Sequence, residues 1–161
     1  TTLAAKCYLL MFSGCSSLIT PPALPATALA ANCYNGMFKD CTSLSQTPDL
    51  PAKTLSDECY NQMFRGCTSL TEIPELPATT LAKYCYQYMF ASCTGLTKVV
   101  IPETSVAAGC YSYMFQNCSN LSDVTVKVKS YDTGAFVRLR SAKNGWTVWP
   151  VKGPFTSAPV L

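Results

Sequence analysis

Ten cysteines in 161 residues are the side chains with the most chemistry to offer in this sequence. They come in pairs separated by eight positions, as Cys59 and Cys67 are, and thiols in such numbers can form disulfides or bind a metal ion. If a helix joins the two, their Cα atoms lie about 12 Å apart, whereas a disulfide needs less than about 7 Å. Free thiols that serve as small buried apolar side chains are therefore the favoured interpretation. Disulfides between different pairs stay open as an alternative.

The sequence has few residues that could form a metal site or a catalytic site. The sequence has no histidine and no C-x-x-C, so it lacks the commonest zinc ligand and a common zinc-site spacing. Asp49, Glu72 and Glu75 have the oxygen ligands that calcium prefers, but not a recognised loop spacing. Glu72 and Glu75 leave a carboxylate-pair hydrolase formally open, yet no nucleophile has a nearby base. We therefore predict no catalytic residue, no metal and no cofactor.

The cysteines belong to a string that occurs five times, C-Y-x-x-M-F-x-x-C-[ST]-x-L. Its first cysteines are Cys7, Cys33, Cys59, Cys85 and Cys110, and its second cysteines are Cys15, Cys41, Cys67, Cys93 and Cys118. Both columns advance by 26, 26, 26 and 25 residues. Such a period is typical of solenoids, in which each unit buries its apolar face only against its neighbours. We predict units 1–26, 27–52, 53–78, 79–103 and 104–129.

The spacing of apolar residues inside one unit predicts a short helix over residues 54–66. The cysteines, Met63, Tyr60 and Phe64 would then share a stripe about 140° wide, as expected of a helix packed on a core. Each helix would end near Gly14, Asp40, Gly66, Ser92 and Asn117, of which the glycines and the asparagine suit a left-handed cap.

The segment after the second cysteine predicts a short parallel strand. Residues 96–102 and 121–126 have the pattern of such strands. In the earlier units, Pro22, Pro48 and Pro74 each remove a hydrogen-bond donor from the ladder. We therefore expect the ladder to become more regular toward the C-terminus.

The last part of the chain, residues 130–161, departs from the repeat. Asn144-Gly145 lies between two apolar segments, residues 134–140 and 146–149, and is a strong hairpin signal. Because a repeat array needs a cap at its exposed end, we predict a C-terminal capping β-hairpin and tail. At the other end, Thr1-Thr2-Leu3 repeats the Thr79-Thr80-Leu81 of a later unit, so we expect an upstream part to be absent from this sequence.

The charge of the chain excludes some partners. Only 13% of residues are charged and the net charge is +3, which is too weak and too scattered for a nucleic-acid surface. The basic excess lies in residues 122–161, with six Lys and Arg against two Asp and Glu. No apolar run is long enough to span a bilayer, so we predict no transmembrane segment in this chain.

The repeat resembles the BspA-like, Treponema-type leucine-rich repeat of bacterial surface proteins, a class abundant in Bacteroidetes. The family pattern, roughly I-G-x-x-A-F-x-x-C-x-x-L-x-x-[IV]-x-[IL]-P, matches the last unit at Phe115, Cys118, Leu121, Val124 and Val126. The resemblance covers about residues 1–128 and recurs five times. It implies an α/β repeat fold, a right-handed leucine-rich-repeat solenoid of short helices and short parallel strands. It also implies a location on the cell surface or outside the cell, with an upstream lipid anchor as one option.

Residues that do not recur between units are the better candidates for a binding site, because the solenoid does not need them. Three outward tyrosines, Tyr84, Tyr88 and Tyr113, would form a patch with large, rigid contact area. On the strand face, Glu72, Lys98 and Asp123 alternate in sign across neighbouring rungs and would neutralise one another. We name these six residues as candidate ligand contacts.

The function expected from these features is a non-catalytic cell-surface binding module. It would recognise a protein or glycan of host or neighbouring cells, in the manner of an adhesin, and would be a monomer. The alternative is a structural spacer within a larger surface protein. Fold alone does not decide between the two.

Overall fold

The computed structural model describes residues 2–102 and 104–127. Two strands pair in parallel, β1 (Lys98–Ile101) and β2 (Asp123–Val126). In register, Lys98 lies beside Asp123 and Ile101 beside Val126. Both strands fall inside segments predicted to be strands, so these predictions are confirmed. The predicted capping hairpin lies outside the described residues.

The ladder is indeed most regular near the C-terminus. Among the described residues, the segments of earlier units that correspond to β1 form no strand. The isolated parallel bridges, Thr2 with Ala28 and Thr54 with Thr80, lie instead before the first cysteine of their units. Pro48 and Pro74 are buried in the segments that correspond to β1, where a proline cannot donate to a neighbouring strand. The prolines therefore interrupt the ladder as expected.

The predicted helix over residues 54–66 is wrong: that segment is a succession of tight turns, and the described residues contain no helix. Its N–H groups alternate between two kinds of acceptor. The N–H of Asn61 closes a turn on the carbonyl of Glu58 at 3.1 Å, whereas that of Tyr60 donates to Cys85 in the next unit at 3.0 Å. The pattern recurs over residues 6–15, 32–41 and 84–93, and its turn-closing bonds recur over residues 109–118. We call these four segments and residues 58–67 the turn ribbons.

The turn ribbon repeats every four residues because every fourth residue has a left-handed backbone. In the third unit, φ is 55° at Glu58, 56° at Gln62 and 76° at Gly66. Cys59, Met63 and Cys67 follow the same spacing and all lie inside. Left-handed backbone was expected at the glycines and the asparagine that close the ribbons, and it is confirmed, with φ of 78° at Gly14 and 61° at Asn117.

The core is a set of identical side chains stacked from unit to unit. The rings of Phe38 and Phe64 lie 5.6 Å apart with planes 11° apart, and those of Tyr60 and Tyr86 lie 5.9 Å apart with planes 5° apart. Cysteines and methionines of the second to fifth units are buried with them. This confirms the repeated string as the buried seam of a stacked array. The right-handed coil stays a prediction.

Candidate functional site

The strongest candidate site is formed by two of the predicted tyrosines on the turn ribbons. The rings of Tyr88 and Tyr113 stack, with centroids 4.7 Å apart and planes 11° apart. Both are half-buried rather than fully exposed, because each covers part of the other. Tyr84 lies elsewhere on the same side, against Gly109 and 5.0 Å from the Nζ of Lys83.

All three tyrosines have left-handed backbone, with φ of 55° at Tyr84, 54° at Tyr88 and 57° at Tyr113. The same positions in other units hold Gly36 and Gly109, with φ of 61° and 62°. A residue with a Cβ loses roughly 1–2 kcal/mol in this conformation, and glycine does not. Glycine would therefore take these positions at a lower backbone cost, and the chain bears the same cost at other large residues, such as Gln62 with φ of 56°.

Two cations that the sequence analysis missed complete this surface. The guanidinium of Arg65 lies 6.0 Å from the ring centroid of Tyr88, and its Nη1 donates to Oε1 of Gln62 at 3.0 Å. Nζ of Lys83 lies over the ring of Tyr84, the next residue in the chain. We call Arg65, Lys83, Tyr84, Tyr88 and Tyr113 the tyrosine face. Arg65 and Tyr88 are on neighbouring units and 23 positions apart, so only the stacking of units brings them together.

The predicted residues of the strand face form one pair. Nζ of Lys98 lies 2.9 Å from Oδ2 of Asp123, and both side chains are mostly exposed. Glu72 is exposed and makes no ion pair within the described part of the chain. Charge neutralisation between rungs is thus confirmed for Lys98 and Asp123 but does not extend to Glu72. Such an exposed pair is worth only about 0–1 kcal/mol.

A groove of about 280 Å³ lies where the proline-containing segments meet β1. Its described lining is Pro74, Glu75, Leu76, Pro77, Val100 and Pro102. Glu75 is the one charged residue in that set, and Glu72 is not part of it. A carboxylate-pair hydrolase needs both acids in one pocket, so this groove does not supply the second carboxylate.

The buried cysteines lack the properties of metal ligands or nucleophiles. Burial raises the pKa of Cys59 and Cys67 to about 12, so both are protonated at neutral pH, whereas the thiolate is the form that binds metal or attacks. No group of side chains within residues 2–102 and 104–127 could hold a metal ion. The part of the chain described also contains no helix with the length and apolar character of a bilayer span.

Parallel stacking of short units, a buried seam of repeated side chains and variable residues on the outer surface define a leucine-rich-repeat protein. The family comparison agrees: the model described as BspA type Leucine rich repeat region matches residues 32–144, in six copies. The chain belongs to this family. The match extends beyond residue 129, where we placed the end of the repeats. No curated protein and no solved structure matches the chain.

Proposed function

We propose that this chain is a non-catalytic binding module of a cell-surface protein, and that it recognises a protein or glycan ligand through the tyrosine face. Leucine-rich repeats generally use their extended surfaces to bind other proteins. The observation that carries the proposal is the stack of Tyr88 on Tyr113 at two left-handed positions. Tyrosine is enriched among the residues that dominate binding interfaces.

The alternative is a structural spacer, whose outer surface residues need only keep the protein soluble. Other units fill the left-handed column of Tyr88 with Leu10, Gly36 and Gln62, so the backbone conformation alone does not separate the two functions. Tyr88 and Tyr113 differ in that their rings stack on each other, which gives the kind of rigid aromatic surface that binds partners. This favours the binder over the spacer.

The test is an array of purified glycans and extracellular proteins, probed with the chain and with the double variant Tyr88→Gly/Tyr113→Gly. Glycine is the right replacement because it removes the rings and relieves the left-handed backbone. We expect affinity for the bound ligand to fall at least about tenfold, the loss of a modest interface hot spot. Leu10→Gly is the matched control, since Leu10 occupies the same column in the first unit with φ of 56°.

The outcomes separate the candidate functions. Binding that survives in the double variant would place the site elsewhere, with the strand face at Glu72, Lys98 and Asp123 as the next surface to change. If no member of the array is bound by the unchanged chain, the spacer is the better account. Circular dichroism of each variant establishes that the array is still folded.

A further inference from the structure

The rings of Tyr88 and Tyr84 already have neighbours within the chain. Tyr88 has Arg65 from the preceding unit at 6.0 Å and Tyr113 from the following unit at 4.7 Å. Tyr84 has Lys83 at 5.0 Å and packs against Gly109. A sugar ring binds an aromatic side chain by laying its C–H groups on an open face of the ring. The neighbours of Tyr88 and Tyr84 compete with a sugar for these faces, which disfavours a stacked sugar.

The two cations of this surface are positioned but not neutralised. The ion pairs of the described residues are Lys39 with Asp40 and Lys98 with Asp123, so neither Arg65 nor Lys83 is in one. A guanidinium carries five N–H donors, and the contact with Gln62 is the hydrogen bond that Arg65 makes through its Nη1. The ring of Tyr88 and the amide of Gln62 thus hold the guanidinium in place while leaving most of its donors available.

The nearby carboxylates are engaged by other donors. Oδ1 of Asp57 accepts the backbone N–H of Lys83 at 3.1 Å, and Oε2 of Glu58 accepts Nδ2 of Asn61 at 3.3 Å. Neither carboxylate lies within ion-pair distance of Arg65 or Lys83. Cations held by aromatic rings rather than by acids are pre-organised for an anion that comes from outside.

We propose that the tyrosine face binds an acidic polypeptide segment, whose carboxylates pair with Arg65 and Lys83 and accept a hydrogen bond from the Tyr88 hydroxyl. A carboxylate and a guanidinium form short, charge-assisted and often bidentate hydrogen bonds. The proposal rests on the proposed function, because it names the ligand class of the same surface. It favours protein over glycan, because other side chains already lie against the rings of Tyr88 and Tyr84 on which a sugar would stack.

The test uses pairs of short synthetic peptides, each with an Asp- and Glu-containing version and an Asn- and Gln-containing version of the same sequence. We expect the chain to bind acidic members and not their amide partners. Binding measured by fluorescence anisotropy should weaken as NaCl rises from about 0.05 to about 0.5 M, because salt screens exposed charges. Arg65→Gln/Lys83→Gln should weaken it at least about tenfold, whereas Lys6→Gln/Lys53→Gln, which removes the same charge elsewhere, should not.

Failure of this inference is distinguishable from failure of the proposed function. Equal binding of acidic and amide peptides, no binding of any acidic peptide, or full affinity in Arg65→Gln/Lys83→Gln would each overturn the acidic ligand. A glycan ligand that is lost in Tyr88→Gly/Tyr113→Gly but kept in Arg65→Gln/Lys83→Gln would overturn it while supporting the binding function. If neither double variant affects any ligand, the tyrosine face is not the site.

Discussion

The thiol of Cys67 donates a hydrogen bond to the backbone carbonyl of Phe38 in the preceding unit, with Sγ 3.1 Å from the oxygen. The same contact joins Cys93 to Phe64 and Cys118 to Phe90, at 3.0 and 3.1 Å. The second cysteine of each of these units therefore acts as a donor that ties one turn ribbon to the one before it. The sequence interpretation, a small apolar side chain, explains its burial but not this bond.

Cys67→Ala tests the contribution of this contact. The change removes a buried sulfur and its hydrogen bond, and we expect the free energy of unfolding to fall by about 1–2 kcal/mol. Urea unfolding measures it. Cys15→Ala is the control, because Cys15 holds the same position in the first unit but is exposed. We expect this change to lower the free energy of unfolding by no more than about 0.5 kcal/mol. Equal losses at the two sites would show that neither burial nor the hydrogen bond matters.

Thiol reactivity should follow burial. Cys7 and Cys15 are exposed and the other eight cysteines are buried. With a thiol reagent at mildly alkaline pH, we expect two groups to react quickly in the folded chain and all ten after unfolding without a reductant. A count well below ten in the unfolded, unreduced chain would support the alternative of disulfides between units.

Alkaline pH should destabilise the array. Burial raises the pKa of Cys59, Cys67 and Cys118 to about 12 and that of Cys33 to about 11, whereas an unfolded thiol titrates near about 8.5. As pH rises, the unfolded chain loses these protons first. The stability that they provide is complete below about pH 8.5 and is lost as pH rises toward 12, at about 1.4 kcal/mol per pH unit for each thiol.

The measurement is urea unfolding at several pH values between about 7 and 11. The free energy of unfolding should fall as pH rises above about 8.5, because the buried thiols keep their protons in the folded chain and lose them in the unfolded chain. A free energy of unfolding that stays constant up to about pH 10 would contradict the raised pKa values.

The repeated string was sufficient to predict which residues form the core but not the backbone that carries them. Cys59, Met63 and Cys67 are four positions apart, and a helix of 3.6 residues per turn drifts by only about 40° over four residues. A stripe about 140° wide tolerates that drift, so the two backbones share one apolar pattern. The helix and the turn ribbon differ in the acceptor to which every second backbone N–H donates its hydrogen bond. In the turn ribbon those groups bond to the next unit, a non-local contact that periodicity within a unit does not reveal.

The candidate site could likewise be predicted only in part: the sequence indicated the tyrosines but not the arginine beside them. Tyr88 and Tyr113 stood out because they do not recur in other units, and the structure brings their rings together. Their left-handed backbone had a signal in the sequence, since Gly36 fills the equivalent position in the second unit. Arg65 had none, because a polar residue at an outward position is ordinary and its ring contact joins two units.

Left-handed backbone at the end of each turn ribbon gives a last prediction. Gly14 and Gly66 hold equivalent positions with φ of 78° and 76°, so replacement by alanine should cost roughly 1 kcal/mol at either site from the backbone alone. Their surroundings differ. An added Cβ at Gly14 meets no atom within 4 Å, whereas at Gly66 it meets the carboxylate of Asp40 and lies 3.4 Å from the Asp40 Cα.

We therefore expect Gly66→Ala to lower the free energy of unfolding by about 2 kcal/mol and Gly14→Ala by about 1 kcal/mol. Urea unfolding of the two variants and of Gly66→Ala/Asp40→Ala gives the comparison. Removing the Asp40 carboxylate should bring the loss at Gly66 back toward that at Gly14, because the carboxylate is the side-chain obstacle and the backbone term is shared. Equal losses in the two single variants would show that Asp40 moves aside without cost, and no loss in either would contradict the left-handed backbone of the turn ribbon.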